Sequence, residues 1–313
     1  MKQLCITAIA CILLTGIISA QENEKEDSVT IESATHIITA VTFPLGIQVN
    51  INNIVKIPVL NFSNPLMRSN NITFKIGAEL TPLTLEGKFD ITWTPIAFFE
   101  LYTGVSTGSG WSINELHGLA LNTDRAGKTV KIPIDFSRTF YSVNFGGAFQ
   151  FDLGAIIPGN WTHIVLRSDQ YIVYKGVSAT SFYESWIFKN DEGQNRNGLT
   201  YFGVYTLGYQ MPLPINLVAL RVETEKSFFK VPAGRDKRDW GEDRYSVLFG
   251  PVIHFKATQW LAITLIAQWK TIHVYHSTNP LIFYQNRIID KSKQDNMYFK
   301  RVGIIFDCKI PHH

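Results

Sequence analysis

The chain is short of almost everything that would place it in a familiar soluble or helical class. It has three cysteines in 313 residues, and two of them, Cys5 and Cys11, lie in an apolar start. Beyond that start only Cys308 is left, so no intramolecular disulfide can form and a disulfide-stapled scaffold is excluded. Long apolar runs are equally scarce. The single one, Leu4 to Ile18, stands at the beginning, whereas a helical membrane protein needs several. No amphipathic helix of convincing length and no short-period repeat appears. Net charge is only +3, and the one basic cluster is the loop Arg235-Asp236-Lys237-Arg238, so nothing speaks for nucleic acid as a partner. Charged residues make up 18% and hydrophobic ones 45%, the reverse of a disordered composition.

The scarcities give the apolar start a meaning. Lys2 supplies a positive end, Leu4 to Ile18 an apolar stretch, and Ile18-Ser19-Ala20 a small-residue cleavage site. Residues 1–20 therefore read as a secretory signal. The run is shorter than the ~20 residues of a transmembrane helix. Residues 21–30 read as a flexible acidic N-terminus, 31–308 as one domain and 309–313 as a tail.

What the chain does have is alternation. In Phe140–Tyr174, residues Tyr141, Val143, Phe145, Phe149, Phe151 and Leu153 oppose Ser142, Asn144, Gly146, Gln150, Asp152 and Gly154. Successive side chains on a strand point to opposite faces, so this is one apolar wall and one polar wall. Pro158-Gly159-Asn160 supplies turn chemistry, and Trp161 opens the return. The same style recurs over Ile72–Leu80, Leu83–Trp93, Ile96–Val105, Leu199–Gln210, Asn216–Phe228, Arg244–Phe255 and Leu261–Trp269. It is weaker over Ile31–Leu60, and of ambiguous parity over Met297–Phe306, where either Val302, Ile304 and Phe306 or Phe299, Gly303 and Ile305 face the apolar side.

Strands of this length exceed those of ordinary sheets and match the ~9–11 residues that cross a bilayer. Connections alternate between short (Thr94-Pro95, Pro158 to Asn160, Pro212 to Pro214, Lys256 to Gln259) and long (Gly108 to Arg138, Lys175 to Gly198, Lys230 to Asp243, His276 to Asn296). Trp93, Phe98, Trp161, Tyr209 and Trp260 gather beside the short turns, as interfacial aromatics do. The expectation is an all-β chain: a single antiparallel transmembrane β-barrel of about twelve strands, with short periplasmic turns and long external loops. Ten or fourteen strands stay open, because Pro82 and Thr94-Pro95 both resemble short turns and one strand cannot have both ends on the same side. The partners expected of such a chain are outer-membrane lipid and the barrel-assembly machinery.

The segments QFDLGAIIPGNWTHIVLR, GLTYFGVYTLGYQMPLP and ITWTPIAFFEL resemble an uncharacterised family of spirochaete outer-membrane β-barrel proteins. The likeness spans about Ile72 to Trp269. It implies a fold and the cell outer membrane, and no substrate.

The polar faces supply the candidate lumen. Lys75, Glu79, Glu86, Lys88, Asp90, Glu100 and Asp152 come from the earlier strands and lean acidic. Arg167, Asp169, Arg221, Glu223, Glu225, Arg244, His254, Lys256 and Lys270 come from the later ones and lean basic. A wet lumen with such sides would act on small polar solutes as a porin-like channel or gated pore. A dry one would pair the charges and plug itself, leaving a structural barrel or a surface adhesin acting through Gly108–Arg138 and Lys175–Gly198. A soluble exported barrel around an apolar ligand is the remaining alternative.

Enzymatic activity is not expected. His163 and Asp169 lie six apart on one strand, about 20 Å by strand rise, and His276-Ser277 falls in a loop. His163, His254 and His273 lack metal-ligand spacing, so neither metal nor cofactor is expected. Cys308 reads as an inert thiol, and the glycosylation-like Asn71-Ile72-Thr73 and Asn160-Trp161-Thr162 as chance.

Overall fold

A computed structural model describes residues 31–59, 66–67, 69–125, 128–181, 184–191, 195–228, 241, 243–277 and 287–312. The segments expected to be the signal and the flexible N-terminus lie outside these. In chain order the strands are β1 (Glu32–Phe43), β2 (Gly46–Pro58), β3 (Asn71–Leu80), β4 (Thr84–Ile96) and β5 (Phe99–Gly110). Four short ones follow: β6 (Ser112–Ile113), β7 (Leu116–His117), β8 (Leu119–Arg125) and β9 (Lys128–Pro133). Then come β10 (Phe140–Asp152), β11 (His163–Val177), β12 (Ser185–Phe188), β13 (Gly198–Gln210) and β14 (Ile215–Ser227). The last are β15 (Ser246–Lys256), β16 (Leu261–Ile272) and β17 (Asn296–His312). Among the described residues there is no α-helix, only one 3₁₀ turn at Leu153–Ala155.

Twelve of these strands close into an antiparallel barrel in the order β1-β17-β16-β15-β14-β13-β11-β10-β5-β4-β3-β2. Closure satisfies every edge strand, which an open sheet of this size could not do. The seam runs from Ser33 opposite His312 to Phe43 opposite Val302. Lys309–His312, read from sequence as a tail, thus continue β17, because β1 offers them backbone partners.

Alternation is realised as expected. Along β11, Val165, Arg167, Asp169, Tyr171 and Val173 are buried, while Ile164, Leu166, Ile172 and Tyr174 are exposed. In a closed barrel the buried set faces inward. Packing inside is partly apolar. Ile38, Ala40, Leu217, Ala219, Val252, Ile266 and Ile305 form one inner cluster across β1 and β14 to β17. Tyr171, Val173 and Val204 form another, with Tyr102 and Phe202 against it. Inner apolar residues on β1 explain why its sequence contrast is weak. Tyr171 lies opposite Gly146 on β10, where a Cβ would collide with Tyr171 Cβ and the Gln170 carbonyl; the glycine lets the two strands carry the inward tyrosine.

The two rims differ. Both described ends of the chain lie on one rim, with the turns 97–98, 153–162, 211–214 and 257–260 and the described residues between β2 and β3; this is the turn rim. The other, the loop rim, carries the described residues that follow β5, β11, β14 and β16, plus the short turns 44–45 and 81–83. The basic run Arg235–Arg238 lies outside the described residues. The conflict between Pro82 and Thr94-Pro95 dissolves here. Pro82 turns at the loop rim, and Thr94-Pro95 is no turn: β4 runs on to Ile96 through a register shift. The ambiguity of β17 has a similar origin. An irregularity between Gln268 and Trp269 of β16 leaves Lys300 as an extra residue, so the outward parity changes from Phe299 to Val302.

Candidate functional site

In the part of the barrel nearer the turn rim, Arg167 on β11 gathers three acceptors. Its Nη2 donates to Glu100 of β5 at 2.7 Å and to Asp169 at 2.9 Å, its Nε to Asp169 at 3.1 Å, and its Nη1 to Gln150 of β10 at 3.0 Å. The planar guanidinium suits this fork. Strand pairing forces the meeting, because β5, β10 and β11 are consecutive in the barrel and Gln150 is opposite Arg167. Farther round, Arg221 holds Glu223 at 2.8 Å, and Lys175 stands 3.8 Å from Glu225. Lys75 pairs with its cross-strand neighbour Asp90 at 2.7 Å. Near the turn rim His163 meets Asp152 at 2.7 Å, and His254 meets Asn216 at 2.6 Å.

These pairings change the picture of an acidic wall facing a basic wall. In these pairs charge is neutralised along one strand or between strands at most two places apart, and none of them spans the barrel. Arg244 also moves: it precedes β15, belongs to the loop rim, and lies 3.8 Å from Asp295 of the neighbouring loop. Its alternating sequence context is shared by the strand, but the ladder starts only at Ser246. Lys256 is exposed at the last position of β15, and Lys270 is half-buried near the loop rim. His163 is paired with Asp152 and not with Asp169, and His276 is largely exposed, 3.8 Å from Asp290.

At the loop rim the described residues that follow β5 and β11 fold into a cap. Strands β12, β8 and β9 make a three-stranded sheet, so two separate loops share one structure. Leu119, Leu121, Ile134, Trp186 and Phe188 of the cap pack on Phe140 and Val177, the rim residues of β10 and β11. Phe140 and Phe188 stack at 4.1 Å between centroids. On the opposite side the cap sits over the β3–β4 turn: Trp111 N–H donates to Leu83 O, and Gly118 N–H to Trp111 O. Gly118 lies so close to the Leu83 carbonyl that no side chain fits. Lys189 and Asn190 N–H donate to the carbonyls of Gly118 and His117, which ties the second loop to the first. His117 is buried in this cap, with Nδ1 3.0 Å from Ser112 Oγ. Burial, and then the Lys131 ammonium, push its pKa below the ordinary imidazole value.

The cap also reaches the inner wall. Lys189 forms ion pairs with Glu79 of β3 and Glu86 of β4, and Glu79 also pairs with Lys88. Glu79 is completely buried, and Glu86 and Lys189 nearly so. Alternation along the strands marks Glu79, Glu86 and Lys88, but not Lys189. Nothing local marks it, since its partner lies 110 residues away.

Outside, Trp93, Phe98, Trp161, Tyr209 and Trp260 are all exposed close to the turn rim, and Tyr209 Oη donates to Trp161 O at 2.8 Å. A second aromatic group, Tyr141, Tyr174, Tyr201 and Tyr245, stands toward the loop rim in stacked or edge pairs. Between them lie exposed aliphatic and phenyl side chains such as Val143, Phe145, Leu166 and Leu207. Among the described residues no group of three or more His, Cys, Asp or Glu could hold a metal ion.

No family model and no curated protein matches the chain. Solved structures similar to it are bacterial outer-membrane proteins. The β domain of the Bordetella autotransporter BrkA is 9% identical with a TM-score of 0.41, covering 90% of this chain and 98% of that one. The transport unit of the Escherichia coli autotransporter AIDA-I is 10% identical with a TM-score of 0.34, covering 96% of each. The KdgM porin is 7% identical with a TM-score of 0.32, covering 90% of this chain and 99% of that one. The fold itself rests on the strand pairing of this chain.

Proposed function

We propose that the chain is an integral outer-membrane β-barrel that works as a gated passage for small polar solutes, closed at rest by its own cap. Membrane insertion is supported by the exposed apolar belt between two aromatic groups, which in water would be a large aggregation-prone surface. Strands of ten to seventeen residues suffice to cross a tilted bilayer path. The turn rim would then be periplasmic and the cap external. A place in the resembled spirochaete family, and delivery by a cleaved signal to the assembly machinery, belong to the same proposal.

The observation that carries the gate is how the cap is held. One side is anchored by an apolar core on β10 and β11; the other is pinned by Lys189 to Glu79 and Glu86. An apolar anchor and a polar pin give a hinge side and a release side. Lifting Lys189 leaves Glu79 and Glu86 short of a cation, so the pinned side opens when water or another cation takes the place of the ammonium, whereas no solute can replace the packed side. Planar-bilayer recording of refolded protein tests this. The intact chain is expected to show rare openings, and Lys189→Gln frequent ones. If neither ever conducts, a plugged barrel presenting its cap as a surface becomes the better reading, favoured by the cap's own core.

A further inference from the structure

The cluster at the pin holds two carboxylates, Glu79 and Glu86, and two ammonium groups, Lys88 and Lys189. With the cap seated the charges cancel. With the cap lifted Lys189 leaves, and two buried glutamates share Lys88, a net charge of one negative unit. The neighbouring Lys75–Asp90 pair is already neutral and supplies no compensation. A second feature lies beside Glu79. Asn50 on β2 is its cross-strand partner and is almost completely buried, yet Asn50 Oδ1 has no hydrogen-bond partner. A primary ammonium carries three donors. Two glutamates and one idle amide oxygen make a matching set of acceptors on one patch of inner wall.

We infer that Glu79, Glu86 and Asn50 form a binding site for primary alkylammonium cations, that Lys189 is its built-in occupant, and that the opened mouth therefore selects cations. The inference rests on the gated reading for its second half only, since the site exists whether or not the barrel conducts. An anion or a neutral solute entering there leaves the glutamates uncompensated, whereas an alkylammonium restores the pairing that Lys189 had supplied. External cations of this class thus compete with the pin when it is present and replace it when it is absent.

The test uses the full mature chain, refolded and reconstituted, with n-butylammonium as a free equivalent of the Lys189 side chain. Lys189→Ala is the receiving variant, and Lys189→Gln serves if the alanine form does not refold. Butylammonium is expected to raise the unfolding temperature of the variant saturably, and n-butanol at equal concentration is not. Adding Glu79→Gln and Glu86→Gln should abolish the shift. In a salt gradient the variant's reversal potential should report cation preference, lost in the triple variant, and butylammonium should reduce its current. Equal effects of butanol and butylammonium, or no thermal shift, overturn the site. A thermal shift without any conductance leaves the site standing and removes the gated channel. Conductance that is anion-selective removes the selectivity claim alone.

Discussion

Replacing Arg167 by methionine asks how far the Arg167 network is shielded from water. The substitution keeps a long apolar stem and deletes the guanidinium. Asp169, which is 1% exposed, loses three hydrogen bonds; Glu100 and Gln150 lose one each. Breaking a buried pair by removing one partner costs about 3–5 kcal/mol, because the orphaned charge cannot reach water. A pair bathed in lumen water would cost only about 0.2–1 kcal/mol. The side chain of Glu100 is 25% exposed and can recover some hydration, so Asp169 dominates the loss. Urea unfolding of the barrel in lipid vesicles, followed by tryptophan fluorescence, measures the difference, provided the denaturant slope stays unchanged. A loss of about 3 kcal/mol or more is expected. Methionine at 167 combined with Asp169→Leu and Glu100→Gln should recover most of it, since a neutral, well-filled interior tolerates the exchange. A loss under about 1 kcal/mol would refute the burial of this network and mean that water already reaches Arg167.

The other expectations concern the cap and the outer wall. Gly118→Ala should loosen the cap, because its Cβ would strike the Leu83 carbonyl; faster proteolysis within residues 111–139 is the readout, and unchanged protection would contradict the packing. Below pH 6.5 the cap should weaken as pH falls, since the depressed pKa of His117 means that the unfolded cap binds protons more readily than the folded one; above pH 6.5 the effect should be flat. Hydrogen exchange at β6 to β9 measures it, and His117→Asn should erase the dependence. Phe145→Arg places a charge on the middle of the outer wall and should cost about 2–4 kcal/mol in vesicles; a neutral result would argue against lipid contact there. Brominated lipids should quench Trp161 and Trp260 as interfacial residues, and quenching typical of the bilayer centre would displace the turn rim.

Much of the barrel is legible in the sequence because period-two alternation survives wherever one face is wholly apolar. The hairpin of β10 and β11 shows it well: Phe145, Phe149 and Phe151 are outside, and Gln150 and Arg167 are inside. Legibility fails where the inner face is itself apolar, as at Ile38 and Ala40, and where a register irregularity reverses the parity, as at Lys300. The cap fails for another reason. Trp186-Ile187-Phe188 is a run without alternation because these residues are buried all round, and β12 has only four residues. Its partners on β8 lie more than sixty residues earlier, so no local pattern marks it. The charged residues of the inner wall were mostly visible one by one. Their pairing was not, since it depends on which strands become neighbours.

The cap sheet draws strands from two loops that flank the hairpin of β10 and β11. Its assembly brings residues 119–122 to residues 185–188, and the contact of Lys189 with Glu79 spans a still larger stretch of chain. The seam between β1 and β17 joins residues more than 250 apart, farther than either. Contacts of longer sequence separation are the slower to form. The cap would then be in place before the wall closes, so that the mouth is covered from the moment the strands become a barrel.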